Sequence, residues 1–122
     1  MKFNLIVVGS LWTIRVLPRK KYNRKQGKDS LAMTVFHKRR VDLSPSGCTQ
    51  EVIIHELVHC YLYECCLYDR DEMDVHTLEE TFCELMAKFG LRILRQAREL
   101  QLKIDKAHSK PSERVPAQRS AA

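Results

Sequence analysis

The chain has 122 residues and a net charge of +6, a length that suits one domain with a modest core. Hydrophobic residues make up 44% of the sequence, which is typical of a folded protein and unlike a disordered one. No stretch reaches the roughly 20 apolar residues of a membrane span, and the apolar patch at residues 5–8 indicates a buried segment rather than a signal peptide.

The sequence contains five cysteines, and an odd number cannot all pair within one chain. We expect free thiols and a cytoplasmic, reducing location. A structural zinc site built from thiolates is the alternative, although no CxxC pair is present. Cys60 and Cys83 are predicted to be small buried apolar residues.

The first half of the chain predicts short strands. Residues 11–17 alternate with Trp12, Ile14 and Val16 on one side and end at Pro18. A basic loop is predicted over residues 19–29. Two further strands follow at residues 31–36 and 40–43, around a turn at 37–39.

The second half predicts two helices and a tail. After a break at residues 44–47, Ser46 or Thr49 is placed to cap a helix over residues 51–68. An acidic connection at 67–75 leads to a second helix over 77–102. We therefore predict an α+β fold in which a small antiparallel sheet packs against two helices. Its boundaries are one domain at residues 1–105 and a disordered basic tail at 106–122.

Charge is distributed unevenly along the chain. Residues 1–40 contain eleven Lys and Arg against one acid, whereas residues 41–100 contain five against twelve. The basic segment 19–28 and the cations at 38–40 suggest contact with nucleic acid. The alternative is a solvated loop that only keeps a small protein soluble.

The run His55-Glu56-Leu57-Val58-His59 is the strongest functional signal. Residues four apart on a helix are neighbours, so the two imidazoles can bind one ion from adjacent turns. Glu56 is then placed to hold a metal-bound water without being a ligand. The alternative is a surface helix that carries two histidines by chance.

A catalytic zinc usually has three protein ligands, so a third is expected beyond His59. Glu80, Glu84 and Ala87 share one flank of the apolar arc predicted for the second helix, whose members are Phe82, Cys83, Met86, Phe89 and Ile93. This flank favours Glu80 as the third ligand and Glu84 as a hydrogen-bond acceptor for a ligand histidine. His76 and Glu79 stay open as alternatives. Residues 77–80 also form a capping box that competes for Glu80, unless Asp74 caps the helix.

These two segments resemble known zinc hydrolases. The stretch from Ile53 to Glu64, followed by Glu80 to Ala87, is similar to the small HExxH metallopeptidase-like proteins of phages and prophages, which are minimal relatives of the gluzincins. The resemblance implies His55, His59 and Glu80 as ligands, Glu56 as general base and Glu84 as the second acid. For a phage-encoded protein, it implies a location in the cytoplasm of the host cell. Residues 55–63 also resemble SprT-like or Spartan-like proteases, in which His76 would replace Glu80 as ligand.

From these patterns we expect a zinc-dependent metallopeptidase that acts on a protein or peptide. Zn²⁺ would lower the pKa of a bound water, and Glu56 would take and return its proton. Tyr61, Tyr63 and Tyr68 are candidates to stabilise the oxyanion, and a peptide substrate could add as a strand to residues 31–36. The rival is a non-catalytic nucleic-acid-associated module with a structural or vestigial zinc.

Overall fold

Four strands form one mixed sheet in the order β1-β2-β4-β3. The structure, a computed structural model, describes residues 1–65 and 74–121, with side chains described as far as Ser109. The strands are β1 (Lys2–Val7), β2 (Ser10–Val16), β3 (Ala32–Val35) and β4 (Arg40–Leu43). The predicted α+β class is therefore confirmed, and strand β1 is an addition to the three predicted strands.

The prediction of an antiparallel sheet is wrong at the centre, where β2 and β4 run parallel. The outer pairs, β1 with β2 and β3 with β4, are antiparallel. A parallel pair needs a crossover connection, and the chain between β2 and β4 is long enough to supply one. The hairpin between β1 and β2 turns through Val8 and Gly9, which both have positive φ, as a tight two-residue turn requires.

The helices are α1 (Arg19–Gln26), α2 (Gln50–Glu64) and α3 (Val75–Ala121). Helix α1 corrects the loop predicted for residues 19–29. Its one large apolar residue, Tyr22, is fully buried, and its last residue, Gln26, donates a hydrogen bond to Asp42 over 3.2 Å. These tertiary contacts order a segment whose sequence has no helical apolar pattern. Gly27, with φ of 90°, ends the helix.

The core lies between one face of the sheet and helices α2 and α3. Trp12, Ile14 and Val16 point into it from β2, as predicted. Alternation along β4 sends Val41 and Leu43 to the same side and Asp42 to the other. The helices contribute Ile53, Leu57, Cys60 and Tyr61 from α2 and Leu85, Ile93, Ala97, Leu100 and Ile104 from α3.

Helix α3 is longer than the predicted span of 77–102. Asp74 accepts a hydrogen bond from the Thr77 backbone N–H over 2.7 Å, so this residue caps the helix, as the sequence allowed. The backbone is helical to Ala121. The division of the chain into a domain and a disordered tail at 106–122 stays a prediction. Most of the acidic connection at 67–75 and the predicted last turn of the first helix lie outside the described residues. No helix in the described ranges is both long and apolar enough to cross a membrane.

Candidate metal centre

Helix α2 carries the HExxH motif at the boundary of the core, with Leu57 in the core and His55 in solvent. Thr49, one of the two predicted caps, accepts a hydrogen bond from the Val52 N–H over 3.3 Å. Ile53, Leu57 and Cys60 fix the helix against the sheet and α3. His55 then emerges into solvent with 71% of its side chain exposed, His59 is half-buried, and Glu56 is buried.

The three polar side chains of the motif form one cluster. The ring centroids of His55 and His59 are 4.9 Å apart. His55 Nε2 is 3.8 Å from Glu56 Oε2. One donor atom from each of the three residues lies within 4.8 Å of the others, and this is the one such His, Cys, Asp or Glu cluster found in the described residues. Two imidazoles beside a carboxylate suit a zinc ion chemically.

Thr34, on strand β3 of the sheet, holds the Glu56 side chain in position. The Thr34 hydroxyl donates a hydrogen bond to Glu56 Oε1 over 2.9 Å. The other carboxylate oxygen, Oε2, faces His55. Because the carboxylate is nearly buried yet accepts a hydrogen bond, its orientation is fixed rather than left to solvent.

Aromatic rings support the second histidine. The ring of Phe36 meets that of His59 edge-on, with centroids 6.2 Å apart. Phe36 in turn stacks on Tyr63 at 5.2 Å, and Tyr63 meets Trp12 edge-on at 5.9 Å. This row of rings connects His59 to the core, so its imidazole is constrained as well.

A cleft of about 310 Å³ opens beside His55 and Glu56. Its walls are Leu31, Ala32, Glu51, Val52, His55 and Glu56. Strand β3, which supplies Ala32, is an edge strand, because it pairs with β4 on one side and is last in the strand order. The cleft therefore adjoins a sheet edge, where the Ala32 carbonyl already accepts a hydrogen bond from the Ser30 hydroxyl over 3.0 Å.

The second predicted motif lies elsewhere. His76, Glu79, Glu80 and Glu84 are all exposed near the start of α3 and are outside the histidine cluster. Helices α2 and α3 run antiparallel, since Tyr61 bonds Gln96 and Gln101 bonds the Cys48 carbonyl. Glu84 lines a separate cleft with Cys65 and Lys88. The structure thus does not bring Glu80, Glu84 or His76 to the histidine pair, and their metal roles stay predictions.

The apolar arc that placed Glu80 was wrong in part. Phe82 is 46% exposed, and Cys83 and Ala87 are exposed as well. The buried stripe instead begins at Leu85 and follows a regular helical spacing to Ile104. Because Asp74 caps α3, Glu80 is not required for a capping box.

The remaining side-chain predictions have mixed outcomes. Cys60 is buried as predicted, and this burial raises the pKa of its thiol, whereas the prediction that Cys83 is buried was wrong. Tyr61 was a candidate to stabilise the oxyanion. Its hydroxyl instead donates a hydrogen bond to Gln96 in the interface between α2 and α3. Tyr63 is stacked on Phe36, and Tyr68 lies outside the described residues.

Sequence reasoning missed Thr34 and Phe36. Both lie in the stretch predicted as a strand, and alternation places Ala32, Thr34 and Phe36 on one face. That period-two pattern could have selected Thr34, but only the contact with α2 shows which face meets Glu56.

Comparisons with protein-family models, with curated proteins and with solved structures found no match to this chain. The functional argument therefore depends on the geometry of the cluster and its cleft.

Proposed function

We propose that the protein is a zinc-dependent metallopeptidase whose reaction centre is the cluster of His55, Glu56 and His59. The observation that carries this proposal is the convergence of two imidazoles and one oriented carboxylate within 4.8 Å, beside an open cleft. In this proposal His55 and His59 hold the metal. When bound, a zinc ion supplies Lewis acidity toward a carbonyl and lowers the pKa of water.

Glu56 acts as the general base in this account. Its Oε1 is occupied by the Thr34 hydroxyl, which leaves Oε2, on the side of His55, to accept a proton from water. The same oxygen then returns the proton to the leaving amine. Thr34 keeps the carboxylate from rotating between these two steps.

The edge of β3 is the proposed binding site for the substrate. A peptide that pairs with residues 32–35 would extend the sheet and cross the cleft in front of His55 and Glu56. Backbone hydrogen bonds of this kind do not depend on the side chains of the peptide. We therefore propose an extended peptide or an unfolded protein segment as the substrate class.

The third ligand is proposed to be Glu80, with His76 as the alternative. Both are exposed and lie outside the cluster, so either assignment requires the first turns of α3 to approach the histidine pair when metal binds. Glu51 is a further acid in the wall of the cleft, one turn before His55 on the same helix. A test of the ligands has to include it.

The rival function, a structural or vestigial zinc site, is less well supported. Structural zinc sites are closed by four protein ligands, whereas the described cluster offers two imidazoles and opens into a cleft. A structural site also has no use for a buried carboxylate next to a ligand. The hydrogen bond from Thr34, which fixes the orientation of the Glu56 carboxylate, favours a catalytic role for Glu56.

The test compares wild-type protein with Glu56→Gln on a broad panel of peptides and unfolded proteins, after both have been loaded with zinc. We expect Glu56→Gln to retain zinc and to lose cleavage, because an amide cannot accept the proton from water. Glu99→Gln is the matched control, since it neutralises an exposed carboxylate of α3 that does not line the cleft. Cleavage that survives in Glu56→Gln, or is absent from the wild type, contradicts the proposal.

A further inference from the structure

Helix α1 presents a dense cationic surface. Its eight residues, Arg19–Gln26, include five cations and no acid. All five cations, which are Arg19, Lys20, Lys21, Arg24 and Lys25, are exposed. Tyr22 is the one large apolar residue of the helix, and it is fully buried with its hydroxyl 2.7 Å from Ser30 Oγ. The helix therefore exposes charged and polar groups to solvent and no large apolar side chain.

The same charge continues onto the sheet. Arg15 on β2 and Arg40 on β4 both pair with the fully buried Asp42, at 2.7 Å and 3.1 Å. One carboxylate neutralises one of these two guanidinium groups and leaves a surplus positive charge. Gln26, at the end of α1, donates to the same carboxylate, so the helix and the two arginines meet at Asp42.

Like charges are close together on this surface. The Arg15 guanidinium, with smaller effects from Lys21 and Arg40, lowers the pKa of the exposed Lys25 ammonium. The hydrogen bond from Gln26 to Asp42 joins the end of the helix to the sheet, and the buried Tyr22 fixes the helix next to Ser30, so these cations are kept together. An anion that binds across them would relieve their mutual repulsion.

We propose that this surface, which we call the cationic face and define as Lys20, Lys21, Arg24 and Lys25 of α1 with Arg15 and Arg40 of the sheet, binds the phosphate backbone of a nucleic-acid duplex. Phosphates of the backbone would contact the four exposed side chains of α1, and counterions are released on binding. Arg15 and Arg40, which are 14% and 18% exposed, add positive charge beneath them. This inference is independent of the metal centre.

The composition of the cationic face favours a duplex over other polyanions. Proteins that bind single strands stack bases on exposed aromatic rings, and the described residues of α1 offer none, because Tyr22 is buried. Helices that bind membranes insert an exposed apolar face, which α1 also lacks. What the helix does offer is charge, which suits contact with the backbone of a duplex without base readout.

The experiment measures binding of a fluorescein-labelled DNA duplex by anisotropy across a salt series. Variant A replaces Lys20, Lys21, Arg24 and Lys25 with Gln. Variant B is the matched control and replaces the exposed α3 cations Lys88, Arg95, Arg98 and Lys103 with Gln, so both variants lose four positive charges. A single strand of the same composition and vesicles of anionic phospholipid are tested in parallel.

The proposal expects wild type and variant B to bind duplex with steep salt dependence. Variant A should lose at least about ten-fold in affinity, and its slope of log affinity against log salt should be shallower by about 3 to 4. An equal loss in variants A and B would overturn the proposal, because net charge alone would then explain binding. Tighter binding to single strand or to vesicles than to duplex would also overturn it. Zinc content of variant A should equal that of wild type, so failure here is distinguishable from failure of the metal centre.

Discussion

Thr34 of the edge strand and Glu56 of helix α2 are joined by a hydrogen bond of 2.9 Å. This contact connects the strand proposed to bind substrate with the carboxylate proposed to activate water. It also explains how a nearly buried carboxylate is satisfied beside His55, whose side chain is 71% exposed. In the proposed reaction, the position of the substrate and the orientation of the base would depend on the same short strand.

Thr34→Val should lower kcat of the zinc-loaded protein by about 10- to 100-fold, because Glu56 Oε1 loses its donor. Thr34→Ser should retain most of the rate, since it keeps the hydroxyl. Steady-state kinetics on one cleavable peptide, with unfolding curves for each variant, are the measurement. If Thr34→Val loses stability but no kcat, the hydrogen bond is structural and does not position Glu56.

The second prediction concerns the third ligand. Glu80→Ala should reduce zinc content strongly and His76→Ala only slightly, because loss of one of three protein ligands weakens binding by several kcal/mol. The structure places Glu84 in a separate cleft, so Glu84→Ala should weaken zinc binding by about 10- to 100-fold only if the hydrogen bond predicted from the sequence, to a ligand histidine, forms in the metal-bound protein. Zinc titrations with a competing chelator give the ranking.

Two outcomes would redirect this assignment. A strong effect of His76→Ala with none of Glu80→Ala would favour the histidine-ligand arrangement of SprT-like proteases. No effect of Glu80→Ala, His76→Ala and Glu84→Ala, together with loss of zinc in Glu51→Ala, would place the third ligand in the wall of the cleft.

The third prediction concerns Asp42, the buried carboxylate that pairs with both Arg15 and Arg40 of the cationic face. Asp42→Asn should destabilise the fold by about 3 kcal/mol, because Arg15 and Arg40 lose their buried partner. Burial raises the pKa of Asp42, but the hydrogen bond and charge of Arg15, with help from Arg40, hold it below the usual value.

The sign of the pH dependence follows from this lowered pKa. The stability that Asp42 contributes should be complete above the ordinary carboxyl pKa of about 4 and should disappear as the pH falls through the lower folded-state value. Urea unfolding of wild type and Asp42→Asn at neutral and acidic pH measures it, with the exposed Asp29→Asn as control. A difference between wild type and Asp42→Asn that grows as the pH falls would contradict the assigned direction.

The fourth prediction compares two glycines. A Cβ on Gly47 would collide with the backbone carbonyl of Leu31, just before β3, whereas a Cβ on Gly90 in α3 meets nothing closer than 3.4 Å. Gly47→Ala should therefore cost about 1 to 3 kcal/mol, and Gly90→Ala should be neutral or stabilise by up to about 1 kcal/mol. Thermal unfolding of both variants would show the contrast. Equal melting temperatures would mean that the Leu31 segment yields without cost.

The sequence was most informative where local signals agree. Capping chemistry offered Thr49 as one of two helix caps, and helical spacing placed His55 and His59 side by side; both features appear in the structure. Trp12, Ile14 and Val16 follow from strand alternation in the same way. These features depend only on residues that are close together in the sequence.

Other features depend on contacts between distant segments. Helix α1 is ordered by Tyr22 and by the bond from Gln26 to Asp42, and a local pattern cannot reveal such contacts in a run of cations. The parallel pairing of β2 with β4 depends on the path of the whole connection. On α3, Phe82 fits an apolar arc when only two turns of the helix are considered. The longer row of buried residues from Leu85 to Ile104 determines which face packs against the core, and Phe82 is left exposed.

The most direct test of the central claim is the zinc content of purified protein, measured by mass spectrometry of the metal after dialysis. The account predicts about one zinc per chain in wild type and Glu56→Gln, and none in His55→Ala or His59→Ala. His55→Ala is the cleaner variant, because 71% of that side chain is exposed and the fold should not depend on it. One zinc per chain in a folded His55→Ala protein, or none in wild type supplied with zinc, would contradict the account.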